Sequence, residues 1–310
     1  MIEVQSLTRY YGTRRAVDDV SFSIASNEVV GLLGLNGAGK STTLKVLVGL
    51  LTPSRGTVRI DGVELGEAPV SFRGRIGYLP DEPPLYKEMT VEGYLRFVAQ
   101  LRGMTADAFQ ARLGGVLQKT QLVGFERRVI AELSHGYKQR VGIAQAIIHA
   151  PKLVVLDEPI SGLDPVQIVE MRKVIRGLST ESTVLLSSHN LPEIHQTCDR
   201  ILVLHRGRLV EQGTEHQIAG RLKTGLHLEL TLTGDAGPLA QRLGAHPQVE
   251  RHTITPRDGG QIEARVALRA DCREALVAEL VGAGFGIRRV DDARGELEEI
   301  FLDLTKEASA

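Results

Sequence analysis

The sequence predicts an α/β protein built on a parallel sheet, followed by a smaller α+β domain. Continuous apolar runs, such as residues 29–33 and 153–156, alternate with helical patterns along most of the chain. This alternation is typical of parallel strands that are buried on both faces. A glycine-rich loop follows the first run. Beyond about residue 220 the segments follow the order βαββαβ, which predicts a ferredoxin-like domain.

Turn signals and hydrophobic periodicity give the order of elements in the first domain, which we assign to residues 1–220. A helical subdomain is predicted at about 82–150, where a helix start at Thr90 opens a mostly helical stretch. Residues 1–24 are predicted to form short strands in a hairpin-like arrangement. The strands 57–60 and 63–65 are predicted to flank the turn Asp61-Gly62. The remaining predicted strands are 29–33, 76–79, 153–156, 183–186 and 201–204.

The second domain is assigned to residues 221–310, after a boundary near 216–226. Its alternating segments predict strands at 226–232, 249–255, 262–268 and 285–290, and its helical patterns predict helices at 238–243, 272–281 and 297–304. No ligand-binding motif is recognised in this domain.

Composition indicates an ordinary globular protein of about two domains, with 42% hydrophobic and 24% charged residues. The net charge of −1 provides no basic field, so we expect no nucleic-acid partner. No signal peptide and no apolar run of the roughly 18 residues that span a bilayer is recognised, so membrane association would require a partner. Cys198 and Cys272 lie too far apart to suggest a metal site and are typical of a reducing compartment.

The glycine-rich loop predicts a nucleotide phosphate site. Its glycines let the backbone wrap around an anion, and the helix behind it adds about half a positive charge. Lys40 is expected to reach the β- and γ-phosphates, and the Ser41 hydroxyl to ligate Mg²⁺. A turn that binds nothing is the structural alternative, which the strand–loop–helix context disfavours. The predicted site comprises Gly34, Asn36, Gly37, Ala38, Gly39, Lys40, Ser41 and Thr42.

Two carboxylates close the apolar strand 153–156 beside this loop. We expect Asp157 to hold the Mg²⁺ hydration shell and Glu158 to orient and activate the attacking water as general base. Acids at a strand end could instead cap a helix or lie on the surface. His189 ends the next predicted strand and could reach a γ-phosphate, although a lone histidine is more often structural.

With these motifs, residues 2–220 resemble the ATP-binding subunits of ABC transporters. The segment 133–140, Leu-Ser-His-Gly-Tyr-Lys-Gln-Arg, stands where that family has its signature motif. Asp164 matches the loop that crosses to the dimer partner, His189 matches the switch histidine, and Tyr11 matches the aromatic residue that stacks on adenine. The resemblance implies a P-loop NTPase of the ABC cassette type, with ATP and Mg²⁺ bound.

The family resemblance also implies partners. Two copies, or a pair of related subunits, would close head to tail around two ATP molecules, each held by the phosphate loop of one copy and by Ser134 and Gly136 of the other. These two residues are expected to precede a helix over 137–149. A separate polytopic membrane permease would hold the subunit at the cytoplasmic face of the membrane. The overall pattern most resembles drug- and antibiotic-efflux or multicopper-maturation exporters.

Several positions depart from the family pattern or allow two interpretations. His135 and Tyr137 replace the usual glycine and glutamine of the signature. Asp81 stands where glutamine is usual, and could ligate Mg²⁺ or be a loop acid. Tyr11 could be a core aromatic. The segment 82–86 could contact the permease or be buried within the chain, and Arg14-Arg15 suggests a solvated turn.

Other functions remain open from sequence. An importer subunit with a regulatory C-terminal domain would share every catalytic residue. Translation factors of this superfamily usually carry two cassettes, whereas this chain has one. DNA-repair ATPases interrupt the cassette with coiled-coil or zinc modules; the stretch 42–133 is too short for these and has no cysteine cluster.

Overall fold

The computed structural model describes residues 1–214, 217–218, 226–257 and 260–292. The chain divides into two units, Met1–Glu215 and His216–Ala310. The predicted closing helix at 297–304 lies outside the described residues, as do residues 258–259 between the predicted strands 249–255 and 262–268. None of the helices in the described ranges combines the length and apolar character needed to cross a membrane.

The first unit has ten strands and seven α-helices among its described residues. In chain order they are β1 Ile2–Tyr11, β2 Arg14–Ile24, β3 Val29–Leu33, α1 Lys40–Leu47, β4 Arg55–Ile60, β5 Val63–Glu64, α2 Pro69–Gly74, β6 Ile76–Leu79, α3 Val91–Leu101, α4 Ala106–Lys119, α5 His135–Ile147, β7 Leu153–Asp157, α6 Pro165–Leu178, β8 Thr183–Ser188, α7 Leu191–Thr197, β9 Arg200–His205 and β10 Arg208–Gly213. A short 3-10 helix, Ile130–Glu132, precedes α5.

A six-stranded sheet in the order β10-β9-β3-β8-β7-β6 forms the centre of the first unit. Its strands β9, β3, β8, β7 and β6 are parallel, and β10 pairs with β9 in the antiparallel sense at one edge. Every residue of β3, β7 and β8 is buried. Their continuous apolar runs therefore reflect burial on both faces, as the sequence predicts.

A second, antiparallel sheet in the order β2-β1-β4-β5 packs on the first. The two sheets share one apolar cluster, to which β1 contributes Ile2 and Leu7, β3 contributes Leu32 and helix α2 contributes Phe72. Burying each such side chain stabilises the fold by about 1.5–3 kcal/mol. The N-terminal hairpin of long strands, rather than the short ones expected, is thereby fixed against the central sheet.

Two helices begin earlier than the sequence pattern suggests. Helix α1 starts at Lys40, two residues before the helix-forming run that the sequence shows over 42–51. Helix α5 starts at His135 rather than at Tyr137. The Ser134 hydroxyl caps α5, and Gly136 consequently lies inside its first turn instead of before it. The predicted helix start at Thr90 is confirmed, because its hydroxyl accepts a hydrogen bond from the Gly93 N–H at 3.1 Å.

The aromatic residues near the start of α3 divide between core and surface. Tyr94 is 2% exposed, and its hydroxyl donates to the Pro84 carbonyl at 3.1 Å. Tyr86 is 53% exposed and packs edge-on against Phe97, with the ring centroids 5.4 Å apart. Tyr94 is therefore buried within the chain and Tyr86 is not, while contact of the segment 82–86 with a permease stays a prediction.

The second unit has the element order βαββαβ among its described residues. The elements are β11 Leu226–Thr233, α8 Ala236–Ala245, β12 Val249–Arg257, β13 Gln261–Leu268, α9 Arg273–Gly282 and β14 Gly286–Asp292. The strands form an antiparallel sheet in the order β12-β13-β11-β14. Alternate residues of β11, namely Leu228, Leu230 and Leu232, pack with the helices in a core of their own.

Strand β6 approaches helix α5 so closely that residue 77 must be glycine. A Cβ atom at Gly77 would lie 1.9 Å from the Ala146 carbonyl oxygen, whereas one at Gly74 would meet no atom within 4 Å. We expect Gly77→Ala to lower the free energy of unfolding by about 1–3 kcal/mol, because the backbone of α5 must shift. Gly74→Ala is the control and should melt within about 1 °C of the wild-type protein. Equal melting temperatures for the two variants would contradict this account.

Candidate functional site

The loop between β3 and α1 surrounds one end of a cavity of about 650 Å³. Gly37 and Gly39 have φ angles of 84° and 104°, in the left-handed region that favours glycine. A Cβ atom at Gly39 would also lie 2.7 Å from the Ala16 carbonyl oxygen. Glycine is therefore favoured at position 37 by the backbone conformation, and at position 39 both by the conformation and by close packing against the start of β2.

Most of the predicted site residues line this one cavity. They are Tyr11, Asn36, Gly37, Gly39, Lys40, Ser41, Thr42, Asp81, Asp157 and Glu158. Gly34 and Ala38 belong to the same loop but are not on the cavity wall; the Gly34 carbonyl accepts a hydrogen bond from Lys40, and the Ala38 carbonyl accepts one from the Gly207 N–H. Ser134, Gly136, Asp164 and His189 are not among the described residues that form its wall.

Lys40 is only 6% exposed, and its ammonium group is held from two sides. It donates to the Gly34 carbonyl oxygen at 2.6 Å and lies 3.5 Å from Oε1 of Glu158. The other carboxylate oxygen of Glu158 lies 3.0 Å from Nδ1 of His189. Glu158 thus links the phosphate loop to the end of β8, and His189 reaches the site through this carboxylate.

Asp157 and Glu158 share Ser187 as a hydrogen-bond partner, which the sequence reasoning missed. The Ser187 hydroxyl donates to Oδ1 of Asp157 at 2.6 Å and accepts from the backbone N–H of Glu158 at 3.0 Å. Strands β7 and β8 are parallel neighbours, and Asp157 stands opposite Ser187 in their register. The pairing of the two strands could have predicted this contact, because a polar residue opposite a buried acid can supply the hydrogen bond that the acid needs.

Burial raises the pKa of Asp157, and the negative charges of Glu158 and Asp81 raise it further, whereas the hydrogen bond from Ser187 lowers it. Glu158 has a φ angle of 49°, so the chain turns sharply after the strand and the two adjacent carboxylates diverge. One end of the cavity therefore combines a buried carboxylate, a second carboxylate on a different face and the Ser41 hydroxyl. Such oxygen donors suit Mg²⁺.

The structure excludes one of the two interpretations of Tyr11. This side chain is 46% exposed and lines the cavity, so the interpretation as a core aromatic is wrong. The guanidinium of Arg9 lies 5.3 Å from its ring centroid. Arg14 and Arg15, expected to form only a solvated turn, are exposed but also line the cavity. Arg206 lines it as well and was not predicted.

The signature segment is held by contacts within its own chain. The Ser134 hydroxyl caps α5, and Nε2 of His135 lies 3.3 Å from the carbonyl oxygen of Ser161. Tyr137 stacks on Phe125 with ring centroids 4.3 Å apart. A Cβ atom at Gly136 would lie 2.7 Å from Oε1 of Gln167, so a side chain there would displace that residue.

Asp164 has a structural role inside the chain. Its carboxylate accepts a hydrogen bond from the Gln167 N–H at 2.9 Å and so caps helix α6. The segment leading to it starts at Glu158 and includes Ser161 and Gly162, which both lie against His135. The segments of Ser134 and Asp164 are therefore neighbours.

Comparison with known proteins shows the family to which the chain belongs. Residues 17–161 match the family model described as "ABC transporter". The chain is 38% identical over 226 residues to the uncharacterized ABC transporter ATP-binding protein YxlF of Bacillus subtilis, covering 73% of this chain and 75% of that protein. The chain belongs to the ATP-binding proteins of the ABC transporter family. The resemblance identified from the motifs is thus confirmed.

One relative extends the similarity over nearly the whole chain. The bacitracin transport ATP-binding protein BcrA of Enterococcus faecalis is 33% identical over 309 residues, with 98% of this chain and 96% of that protein covered. A solved structure, described as an ATP-binding subunit of an ABC transporter, matches with a TM-score of 0.65 and 36% identity, over 71% of this chain and 92% of that one. The α/β ATPase cassette is thereby confirmed.

Membership of this family makes the chain an ATPase. The bond that Ser187 makes to Asp157 should then matter for activity. We expect Ser187→Ala to lower steady-state ATP hydrolysis by at least about tenfold, and the free energy of unfolding by about 1–3 kcal/mol, because a buried carboxylate and an N–H lose their partner.

Ser182→Ala is the matched control for this variant. Its hydroxyl donates to the Pro151 carbonyl at 2.7 Å and is buried just before the opposite end of β8. This variant should be destabilised to a similar extent but should hydrolyse ATP within about twofold of the wild-type rate at a temperature where both are folded. Matching ATPase rates in the two variants would contradict a specific role for Ser187.

Proposed function

We propose that this chain is the nucleotide-hydrolysing subunit of an exporter, in which two copies close around two Mg²⁺-ATP and drive a separate polytopic permease. The cassette would comprise residues 1–220, and 221–310 would be an accessory domain. The observation that carries the proposal is the composition of the cavity. It brings the phosphate loop together with Asp157 and Glu158, while Ser134 and Gly136 lie elsewhere in the same chain.

Within one copy, the phosphate loop would bind the triphosphate. Backbone N–H groups of residues 36–42 would surround it, and Lys40 would exchange its contacts with Gly34 and Glu158 for phosphate oxygens. Tyr11, exposed at the cavity, would stack on the adenine. The family resemblance supports these roles.

The cation would be shared between protein and nucleotide. Among the described residues, no group of three or more His, Cys, Asp or Glu side chains is arranged to hold a metal by itself. Ser41, Asp157 and Asp81 all line the cavity, and Mg²⁺ usually takes one or two protein carboxylates together with substrate phosphates. The bound ion would neutralise negative charge at the phosphates and offset the unfavourable burial of Asp157.

Glu158 would act as general base on the attacking water. Its carboxylate is 15% exposed and diverges from Asp157, which leaves it available for a water molecule next to the γ-phosphate. His189 lies 3.0 Å from this carboxylate and would orient it as well as contact the γ-phosphate.

A second copy would complete the site. Ser134 and Gly136 stand in the first turn of α5, where the hydroxyl and the N–H groups suit a γ-phosphate. Asp164 lies on the neighbouring loop, as a residue that communicates between the two copies would. ATP bound at the interface then holds the copies together, and its hydrolysis releases them, which would move the permease.

Export is favoured by the relatives that match the chain over nearly its full length. Besides the bacitracin transport protein, the linearmycin resistance ATP-binding protein LnrL of Bacillus subtilis is 30% identical, with 98% of each chain covered. The names of both relatives refer to antibiotics, and we extend that substrate class to the present chain. The proposed location is the cytoplasmic face of the membrane, through the permease.

The transport proposal is tested by tagging the chain in its native cells and identifying what co-purifies from solubilised membranes and from cytosol. We expect a stoichiometric polytopic membrane protein whose deletion, like deletion of this chain, sensitises cells to a membrane-active antibiotic. Recovery with ribosomes, or with a permease that imports its substrate through a binding protein, would contradict export.

Binding and hydrolysis should be separable at Lys40 and Glu158. We expect Glu158→Gln to lower ATP hydrolysis by about 100-fold or more but to form a stable dimer with ATP, because the base is lost while the phosphate contacts remain. Lys40→Ala should remain monomeric with ATP, since it loses a phosphate contact. Size-exclusion chromatography with light scattering measures both states. A Glu158→Gln protein that stays monomeric in saturating ATP would contradict closure around nucleotide.

The contribution of Ser134 to the second copy can be measured in that Glu158→Gln background. Ser134→Ala should weaken the ATP-dependent dimer by about tenfold, because a hydroxyl contact to phosphate is lost. Thr105→Ala removes an equivalent N-cap, that of α4, at a position outside the cavity wall, and should leave the dimer unchanged. An equal effect of the two substitutions would show that Ser134 acts only by capping its helix.

A further inference from the structure

The turn between β9 and β10 is fixed against the phosphate loop. The Gly207 N–H donates to the Ala38 carbonyl at 2.8 Å, and the Gly207 carbonyl accepts from the Asp18 N–H at 2.8 Å. The Cα of Gly207 lies 3.3 Å from the position that a Cβ atom at Gly39 would occupy. This turn is therefore part of the scaffold of the phosphate loop, although it lies more than 160 residues away in the sequence.

Arg206, in the same turn, has a backbone conformation that is unusual for a residue with a side chain. Its φ angle is 48°, in the left-handed region that favours glycine or asparagine. The two hydrogen bonds of Gly207 hold the turn in place and so maintain this conformation. It places Arg206 on the wall of the nucleotide cavity.

The charge of Arg206 is not used within the described part of the chain. Asp18 lies 2.7 Å from both Arg15 and Arg208, which accounts for those two cations. Lys40 lies beside Glu158. Arg206 makes no hydrogen bond or ion pair with the described residues, and it is exposed. It therefore faces the cavity as a cation that is free to meet an anionic ligand.

We propose that Arg206 is a nucleotide-binding residue whose guanidinium contacts the phosphate chain of the bound nucleotide. A phosphate is favoured over the base because the turn is bonded to Ala38, inside the phosphate loop, and because a guanidinium donates two parallel hydrogen bonds to phosphate oxygens. The assignment rests on nucleotide binding in the proposed site. It adds a contact from a segment outside the sequence motifs.

The test compares Arg206→Gln with Arg208→Gln, at the first residue of the adjoining strand β10. Both substitutions remove one positive charge, but Arg208 is engaged by Asp18 and does not line the cavity. Calorimetric titration with MgADP and with a hydrolysis-resistant MgATP analogue gives the dissociation constants. We expect Arg206→Gln to raise both by about tenfold, Arg206→Lys to raise them less, and Arg208→Gln to leave them within about twofold of the wild-type values.

The salt dependence of nucleotide binding distinguishes the loss of a charge from a change in the shape of the site. Binding of both nucleotides to the wild-type protein should weaken as salt rises, and this dependence should be shallower in Arg206→Gln but not in Arg208→Gln. Dissociation constants and salt dependence equal to wild type in Arg206→Gln would overturn the assignment. Failure of the wild-type chain itself to bind either nucleotide would instead overturn the proposed site.

Discussion

The functional site depends on three parallel strands, β3, β8 and β7, lying side by side and ending at the same edge of the sheet. The phosphate loop follows β3, His189 follows β8, and Asp157 is the last residue of β7. Parallel strands require crossover connections, so these groups are far apart in sequence and adjacent in space. Burial of all three strands on both faces fixes their register, and the register fixes the site.

The charged groups at this edge of the sheet are paired with one another through a short series of hydrogen bonds and ion pairs. Ser187 satisfies buried Asp157 and the N–H of Glu158 together, and Glu158 in turn contacts Lys40 and His189. An uncompensated carboxylate at the position of Asp157 would be costly, as the upward shift of its pKa shows. In the proposed function, a triphosphate would replace the contacts of Lys40 with Gly34 and Glu158.

The parts of the fold and site that could be predicted are those encoded by local sequence. Continuous apolar runs identified the parallel strands, and glycines with a Lys-Ser pair identified the phosphate loop. Ser187 was not predicted because its role arises from the pairing of β8 with β7. Arg206 was not predicted because its position depends on hydrogen bonds between a distant turn and the phosphate loop. The early start of α5 was missed because His135 and Gly136 are weak helix formers, and it is the Ser134 cap that begins the helix there.

The two residues that depart from the usual signature motif, His135 and Tyr137, make specific contacts within the chain. His135 lies against the Ser161 carbonyl and Gly162, three and four residues beyond Glu158, while Tyr137 stacks on Phe125. Glycine and glutamine could make neither the imidazole contact nor the ring stacking. The start of α5 is therefore tied directly to the short loop that follows Glu158. A displacement of that loop would strain the contact between His135 and the Ser161 carbonyl unless the start of α5 moved with the loop. In the proposed dimer, the start of α5 and the loop after Glu158 would face opposite ATP molecules, and this contact would couple them within each chain.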